Sequence, residues 1–333
     1  MIKVAINGFG RIGRLAFREL SSLEDFEVVA INDLTEAEQL AYLLKYDTNH
    51  RGWNIDKIGF ENNSIIYDNK RIQIYSEKDP AMLPWGDLGV DVVLECTGAF
   101  TKEEDAIKHI NAGAKKVLIS APGDGDMKTI VYNVNNHILD GTEQIVSAAS
   151  CTTNCLAPVL KIINDNIGII KGYMSTIHAY TNDQVTLDVP HKKGIKSRRG
   201  RACAMNIVPS STGAASAIGK VIPDLVGKLD GMAFRVPVSD GSMIDCTLEL
   251  KKNTSIEEIN NLFFNNQNET IRFTMDPIVS SDVIGTKVGA VVDGSCTDVL
   301  ESDGRQLVKI IAWYDNEMGY TAQMIRTVKD LMK

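Results

Sequence analysis

The sequence predicts an α/β protein, with a doubly wound parallel sheet in the first half and an α+β domain with a mostly antiparallel sheet in the second. The first half alternates short β-branched runs with helical patterns, which is typical of parallel strands joined by crossover helices. The second half has longer strands separated by few helices. Because 333 residues exceed the size at which one hydrophobic core usually keeps growing, two domains are expected.

The predicted elements of the first half follow in the order that crossover units require. Thr35 with Glu38, and Thr101 with Glu104, match the capping-box pattern and indicate two helix starts. Strands are predicted over residues 4–7, 26–33 and 115–120 and over "VDVVLECTG", and helices over residues 11–20, 35–46 and 101–112.

The predicted second domain begins with a helix over residues 151–166. Long strands are then predicted over "GYMSTIHAY", "GMAFRVPV", "MIDCTLEL" and "VKIIAWYD", followed by a last helix over residues 317–332. We therefore expect one domain over residues 1–150 and another over residues 151–316, with the C-terminal segment 317–333 packing back near the first domain.

Composition and charge argue against several classes of protein. Hydrophobic residues (44%) and charged residues (23%) are close to the averages of globular proteins, which argues against fibrous, disordered and membrane-spanning chains. A net charge of −8 makes general affinity for nucleic acid or an anionic membrane unexpected. The first strand begins at Ile2, leaving no room for a secretory signal, and the six cysteines form no CxxC pair. These features predict a cytoplasmic protein with reduced thiols.

A glycine-rich loop joins the first strand to the first helix. In "INGFGRIGR" (residues 6–14), Gly8 allows a tight turn, Gly10 lets a pyrophosphate approach the backbone, and Gly13 lets the helix pack closely on the strand. The helix start then offers N–H groups and a positive dipole end to phosphates. Asp33 follows about 20 residues after Gly13, where a Rossmann domain places a carboxylate for the ribose hydroxyls. Since a carboxylate repels a 2′-phosphate, NAD is favoured over NADP.

The segment "SAASCTTNCLAP" (residues 147–158) places Cys151 and Cys155 one helical turn apart. Ser150 is a good N-cap, which puts Cys151 in the first turn, where the helix dipole and N–H groups would lower the thiol pKa toward neutrality. A disulfide is disfavoured in a reducing compartment, and no neighbouring Cys or His completes a zinc site, so no metal is expected. Burial as a small apolar side chain remains the alternative, and it is favoured for Cys155.

Seven segments together resemble the phosphorylating, glycolytic glyceraldehyde-3-phosphate dehydrogenases, in that family's order and over the whole chain. They are "INGFGRIGR", "IND", "SCTTNCLAP", "HAYTNDQ", "PSSTGAA", "FRVPV" and "WYDNEMGY". The resemblance implies an NAD-dependent aldehyde dehydrogenase that converts D-glyceraldehyde 3-phosphate and inorganic phosphate into 1,3-bisphosphoglycerate. It also implies a homotetramer.

The resemblance assigns the catalytic pair. It makes Cys151 the nucleophile that forms a hemithioacetal and then a thioester, and His178 the group that activates it and takes the proton as hydride leaves. The residues alone do not decide between His178 and the chain's other four histidines, which are His50, His109, His137 and His191.

The resemblance also implies two anion sites and a cofactor site. The substrate and attacking phosphates would be held around Cys151 by Ser150, Thr152, Thr181, Thr212, Gly213 and Arg235. The cofactor would be held by Gly8, Gly10, Arg11, Ile12 and Gly13 at its phosphates, Asp33 at the adenosine ribose, Lys78 near the adenine, Ser120 at the nicotinamide half and Asn316 at the carboxamide.

Three positions depart from the family's usual residues. Several members have Arg at Lys78, Ser is usual at Ala312, and Gly is expected at Asn133. The latter two departures concern local loop geometry. Pro190, in contrast, matches the NAD-preferring pattern.

A basic stretch covers residues 191–202, "HKKGIKSRRGRA", without any aromatic residue. Read alone it suggests a nucleic-acid site. The resemblance instead implies a loop at a subunit interface, with one Arg of residues 198–201 near the phosphates. Erythrose-4-phosphate dehydrogenase is the nearest alternative activity, and a non-catalytic NAD-fold protein such as an adhesin or RNA-binding partner is the alternative of another class.

Overall fold

The computed structural model describes residues 1–333, which divide into two compact units. The first unit comprises residues 1–131, 136–150 and 324–333, and the second comprises residues 132–135 and 151–323.

The first unit contains a nine-stranded sheet in the order β3-β4-β5-β2-β1-β6-β7-β9-β8. Its strands are β1 (Ile2–Asn7), β2 (Phe26–Asn32), β3 (Ile58–Glu61), β4 (Ser64–Tyr67), β5 (Lys70–Tyr75), β6 (Val92–Glu95), β7 (Lys116–Ile119), β8 (Lys128–Thr129) and β9 (Ile145–Ser147). Its helices are α1 (Arg11–Leu20), α2 (Ala37–Lys45), α3 (Trp85–Leu88) and α4 (Glu103–Asn111). The strands from β5 through β2, β1, β6 and β7 to β9 and β8 all pair in parallel, so the predicted Rossmann-type parallel sheet is confirmed.

Two antiparallel hairpins at one edge of this sheet were not predicted. β3 pairs with β4, and β4 with β5, through tight turns at residues 62–63 and 68–69. Asn62, Asp68 and Asn69 have positive φ, which Asn and Asp tolerate better than other residues with a side chain. The Asn-Asn and Asp-Asn dipeptides therefore carried the hairpin signal in the sequence.

Both predicted capping boxes are wrong. α2 begins at Ala37 and α4 at Glu103, and neither start has a side-chain cap. The Thr35 N–H donates to the Asp33 carboxylate at 2.9 Å, so Thr35 belongs to the turn after β2. The Thr101 carbonyl accepts the Asp124 N–H at 3.0 Å, which keeps that residue in an extended pairing with the chain near 124.

The second unit contains a seven-stranded sheet in the order β11-β12-β10-β13-β16-β15-β14. Its strands are β10 (Ile169–Ala179), β11 (Val208–Ser211), β12 (Leu229–Val236), β13 (Ser242–Leu250), β14 (Ile271–Thr274), β15 (Ala290–Ser302) and β16 (Arg305–Tyr314). The helices of this half of the chain are α5 (Cys151–Asn166), α6 (Ala214–Val221), α7 (Ile256–Asn265) and α8 (Met318–Leu331). Four strand pairs are antiparallel, whereas β10–β12 and β14–β15 are parallel, so the predicted mostly antiparallel sheet is confirmed.

The structure accommodates Asn133 and Ala312, two of the residues that depart from the family's usual sequence. Asn133 has a φ of 61°, the left-handed conformation for which Gly was expected, and its side-chain amide donates to Thr270 Oγ1 at 3.0 Å. Ala312 is fully buried within β16, opposite Ile244 on β13. Apolar neighbours explain why a residue without a hydroxyl is accommodated there.

Glycines fix the distance between α1 and β1. Gly8 has a φ of 91°, and a Cβ there would lie 2.7 Å from the Thr97 backbone nitrogen. A Cβ on Gly13 would overlap the Gly8 carbonyl oxygen, whereas a Cβ on Gly10 would meet no heavy atom within 4 Å. Gly13 is therefore required by packing, and Gly10 leaves open space at the helix start.

We expect Gly13→Ala to lower the free energy of unfolding by about 2 kcal/mol or more, because the methyl group has no room beside Gly8. Gly10→Ala is the matched control and should change it by less than about 0.5 kcal/mol. Thermal unfolding followed by circular dichroism measures both. Equal unfolding temperatures for the two variants would contradict the packing role of Gly13.

Candidate active site

The glycine-rich loop and Asp33 meet at the carboxyl ends of β1 and β2. The Asp33 carboxylate accepts the backbone N–H groups of Phe9, at 2.7 Å, and of Thr35, at 2.9 Å. These bonds hold the acid at the loop rather than in solvent. The open space at Gly10, the start of α1 and the fixed carboxylate suit a dinucleotide, so the residues present fit NAD.

Arg11, at the first position of α1, has its guanidinium paired with Asp47 through both terminal nitrogens. Burial would raise the Asp47 pKa, but hydrogen bonds from Arg11 and from the His50 N–H outweigh burial and lower the pKa to about 2. The Arg11 side chain is thus committed to Asp47. Any contact of Arg11 and Ile12 with phosphate is expected from the main chain at the helix start.

The other residues assigned to the cofactor lie in different settings. Lys78 is exposed, shortly after β5, and Ser120 is half-buried, directly after β7. Asn316 is buried, and its Oδ1 accepts the Ser242 hydroxyl at 2.7 Å. That bond fixes the amide orientation and leaves the Asn316 NH₂ group as the donor for a carboxamide oxygen.

Cys151 is the first residue of α5. Ala149, two residues earlier, is buried with a φ of 58°, a conformation that costs energy for a residue with a Cβ. The chain therefore turns sharply from the end of β9 into the helix. Cys151 Sγ lies 3.4 Å from His178 Nε2 on β10, so the structure brings the two predicted catalytic residues together.

The hydrogen bonds around His178 define its tautomer. Nδ1 lies 2.7 Å from the Ala179 carbonyl oxygen. The Arg235 Nη1 group lies 3.1 Å from Nδ1 but directs its two N–H bonds to Ala179 O, at 3.0 Å, and Thr181 Oγ1, at 3.1 Å. The ring proton is therefore on Nδ1, donated to Ala179. Nε2 presents a lone pair to the Cys151 thiol and is placed to accept its proton.

The expectation of a lowered pKa for Cys151 is wrong in this structure. Burial raises the thiol pKa, and the opposing effects of Arg235 and of hydrogen bonds at Thr152 do not reverse the direction. For His178, burial and the Arg235 charge lower the pKa to about 3. The pair at rest is therefore a thiol facing a neutral imidazole, and proton transfer between them accompanies attack.

Behind the pair runs a directed chain of hydroxyl groups. Thr176 Oγ1 donates to the Met243 carbonyl oxygen at 3.0 Å, so it accepts from the Tyr314 hydroxyl at 2.8 Å. Tyr314 in turn accepts from Thr152 Oγ1 at 3.0 Å. The proton of the Thr152 hydroxyl is thus committed to Tyr314, and a contact of Thr152 with phosphate is expected from its main-chain N–H.

The structure distinguishes among the arginines of the basic loop. Arg199 pairs with Asp183 in a half-buried setting, whereas Arg201 pairs with Asp188 on the exposed surface. Asp183 also accepts the Thr181 hydroxyl at 2.5 Å. Since Arg235 donates to Thr181, the arginine linked to the predicted anion residues is Arg199.

The remaining predicted residues lie at chain turns. Thr212 and Gly213 lie between β11 and α6, and Thr212 Oγ1 accepts the Ala214 N–H at 3.2 Å. Ser150 directly precedes α5. Cys155 is fully buried, 4.0 Å from the Ala312 carbonyl oxygen, and burial raises its pKa strongly. Cys155 therefore lacks the access that a nucleophile needs.

Five residues of these clusters were not found from the sequence. Asp183 and Tyr314 lie within the quoted segments "HAYTNDQ" and "WYDNEMGY" but were given no role, and none of the quoted family segments contains the other three. The one hint was the alternation along β10, which places Thr176 on the same face as His178. The five are Asp47, Thr176, Asp183, Ser242 and Tyr314.

Comparisons with known proteins decide the family. Residues 2–103 match the model of the NAD binding domain of glyceraldehyde 3-phosphate dehydrogenase, and residues 150–316 match the model of its C-terminal domain. The chain belongs to the glyceraldehyde-3-phosphate dehydrogenase family. The family resemblance found in the sequence is thereby confirmed.

Full-length relatives carry the same name. The chain is 56% identical to the glyceraldehyde-3-phosphate dehydrogenase of Clostridium pasteurianum over 100% of this chain and 99% of the relative. The enzyme of Clostridium acetobutylicum is 56% identical over 98% of each chain. That of Streptococcus pyogenes is 53% identical over 100% of this chain and 99% of the relative. None of the helices has the length and apolar character needed to cross a membrane.

We expect Arg235→Gln to slow the reaction of Cys151 with iodoacetamide at pH 7 by roughly threefold or more. Burial raises the pKa of the Cys151 thiol, and the Arg235 charge opposes this effect. When the charge is removed, the pKa rises further, and the reaction rate increases only at higher pH. Arg201→Gln, an exposed residue of the basic loop, is the control and should leave the profile unchanged. A profile of Arg235→Gln that overlays the wild type would show that this charge does not act on the thiol.

Proposed function

We propose that the chain is the NAD-dependent dehydrogenase that oxidises and phosphorylates D-glyceraldehyde 3-phosphate to 1,3-bisphosphoglycerate. The observation that carries the proposal is the approach of Cys151 Sγ to His178 Nε2 at 3.4 Å, with the Arg235 guanidinium against the other side of the ring. A nucleophile, a base with a fixed tautomer and a cation for phosphate form the minimum set for acyl transfer through a thioester.

The first step is attack of the Cys151 sulfur on the substrate aldehyde. As the C–S bond forms, the thiol proton moves to His178 Nε2 and from there to the carbonyl oxygen, which gives a hemithioacetal. The uncharged resting pair suits this step, because no ion has to be stabilised in the buried site before substrate arrives.

The second step is oxidation to the thioester. NAD, when bound, supplies a hydride acceptor. His178 Nε2 takes the hydroxyl proton of the hemithioacetal as the hydride departs, and the resulting imidazolium keeps that proton until the thiolate leaves in the third step. The residues expected to hold the cofactor are the loop of Gly8, Gly10 and Gly13, with Asp33, Lys78, Ser120 and Asn316.

The third step is attack of inorganic phosphate on the thioester. The acyl group passes to a phosphate oxygen, and the sulfur leaves as thiolate and regains a proton from the imidazolium of His178. Ser150, Thr152, Thr181, Thr212, Gly213, Arg199 and Arg235 supply hydroxyls, main-chain N–H groups and guanidinium groups for the two phosphates. Guanidinium groups remain protonated and bind the phosphates without attacking the acyl group.

The proposal includes the setting in which the enzyme works. Residues 1–150 form the NAD-binding domain and residues 151–316 the catalytic domain, with the C-terminal helix returning to the first. The enzyme is a cytoplasmic homotetramer, and the basic loop over residues 191–202 lies at a subunit interface. Reduced cysteines support the compartment, since all six are free thiols.

The decisive assay is NADH formation with glyceraldehyde 3-phosphate and with erythrose 4-phosphate, each with and without inorganic phosphate. We expect fast turnover of the triose that requires phosphate. Cys151→Ser should lower the rate at least about a thousandfold, whereas Cys155→Ser should retain it, because only Cys151 has a base within reach. A preference for the tetrose, or turnover indifferent to phosphate, would refute the proposed reaction.

Cofactor preference tests the role of Asp33. We expect Asp33→Ser to improve kcat/KM for NADP relative to NAD by about tenfold to a hundredfold, because the carboxylate that repels a 2′-phosphate is removed. Asp33→Glu keeps the charge and should keep the preference for NAD. If Asp33→Ser leaves the ratio unchanged, another group discriminates between the cofactors.

A further inference from the structure

A continuous chain of buried hydrogen bonds crosses the carboxyl ends of neighbouring strands in the first unit. It runs from the segment after β5, through Asn32 at the end of β2 and Asn7 at the end of β1, to Glu95 at the end of β6. We call it the strand-end chain. Asn7, Asn32 and Glu95 are each at least nine-tenths buried.

Asn32 connects the first two links. Its Oδ1 accepts the Glu77 N–H at 2.8 Å, and its Nδ2 donates to the Glu77 carbonyl oxygen at 2.9 Å. The same Nδ2 donates to Asn7 Oδ1 at 2.7 Å. One side chain therefore holds both polar groups of the Glu77 backbone and passes the chain on to Asn7.

Glu95 receives donors on both carboxylate oxygens. Oε2 accepts from Asn7 Nδ2 at 2.5 Å and from His109 Nε2 at 3.0 Å. The Trp85 indole donates to His109 Nδ1 at 3.0 Å, which places the imidazole proton on Nε2. Oε1 accepts both the N–H group, at 2.8 Å, and the hydroxyl of Thr97. Donors alone surround the carboxylate, so each bond has a fixed direction.

Three of the four residues in the strand-end chain directly precede a residue assigned to the cofactor. Asn7 precedes Gly8, Asn32 precedes Asp33, and Glu77 precedes Lys78. At the last link, Glu95 holds Thr97, against whose backbone Gly8 packs without room for a Cβ. A shift of one link would displace two cofactor-binding segments at once.

We propose that Asn7, Asn32 and Glu95 are positioning residues for NAD. They set the affinity for NAD by holding the three segments that begin at Gly8, Asp33 and Lys78 in one fixed arrangement. The inference extends the proposed function but depends only on cofactor binding. His109 supports Glu95, because its Nε2–H donates to Glu95 Oε2 without bringing a positive charge next to the cofactor-binding segments.

A polar network in a core also contributes to stability, so the alternative is that the strand-end chain only holds the sheet together. The two roles differ in what they change. A structural role lowers the unfolding temperature without selectively changing ligand affinity. A positioning role raises the dissociation constant of NAD in a protein that is still folded, because part of the binding energy is then used to order the loops.

The test uses two nearly isosteric variants of the full chain. In Glu95→Gln, the amide NH₂ faces either Asn7 and His109 or Thr97, all of which are donors. In Asn32→Asp, a carboxylate oxygen faces the acceptors Asn7 Oδ1 and Glu77 O. We expect the dissociation constant of NAD, measured by calorimetry, to rise about tenfold or more in each. KM for inorganic phosphate and kcat at saturating NAD should stay within about twofold.

Ile65→Ala is the matched control, because Ile65 is fully buried in β4 of the same sheet and takes no part in the strand-end chain. It should lower the unfolding temperature but leave the affinity for NAD within about twofold. If Ile65→Ala weakens NAD as much as Glu95→Gln and Asn32→Asp do, or if those two bind NAD as the wild type does, the proposal is overturned.

A second pair of variants covers the case in which the buried variants do not fold. Thr97 is exposed, so Thr97→Val and Thr97→Ser are both expected to fold. Thr97→Val removes the hydroxyl that donates to Glu95, whereas Thr97→Ser keeps it. We expect the dissociation constant of NAD to rise by roughly threefold or more in Thr97→Val and to stay unchanged in Thr97→Ser. Equal affinities in the two would refute the proposal. Because calorimetry measures binding alone, an inactive wild type would refute the proposed reaction and leave this test intact.

Discussion

The pairing of β10 with β12 is the constraint on which the catalytic cluster depends. In this parallel pair His178 is directly opposite Arg235, so the register of the sheet places the guanidinium beside the imidazole. A slip of one strand by one residue would place the two side chains on opposite faces of the sheet. The Ala179 carbonyl oxygen, which also accepts from Arg235, then holds the ring proton on Nδ1 and leaves Nε2 for the thiol.

Most of the fold follows from the sequence because hydrophobic periodicity and glycine spacing are local signals. The predicted helix over residues 11–20 coincides with α1, and the one over residues 151–166 with α5. The capping boxes failed for two reasons. Asp33, two residues before Thr35, holds that residue in a local turn, whereas Thr101 is paired with the distant chain near Asp124. The hairpins of β3, β4 and β5 had a local signal in their turn dipeptides. These strands are short and do not alternate regularly between apolar and polar residues, so no periodicity supported the turn signal.

The candidate site was predictable only where a residue belongs to a motif or to a resemblance. Cys151 follows from its place at a helix start, but its environment does not, because burial by elements far along the chain determines the pKa. The choice of Arg199 among the loop arginines depends on Asp183, and the orientation of Asn316 depends on Ser242. Each of these partners is brought close by strand pairing, which sequence spacing does not reveal.

The two polar networks of the chain share one physical property. In the hydroxyl chain of Thr152, Tyr314 and Thr176, and in the strand-end chain, the hydrogen bonds have a fixed donor and a fixed acceptor. The hydroxyl chain consists of neutral groups only, whereas the strand-end chain ends on the Glu95 carboxylate, whose charge is met by four hydrogen-bond donors. The glycolytic chemistry proposed here transfers a proton at one atom, His178 Nε2. Nε2 can accept a proton and return it because the other ring nitrogen, Nδ1, is held by the Ala179 carbonyl oxygen and takes no part in the exchange.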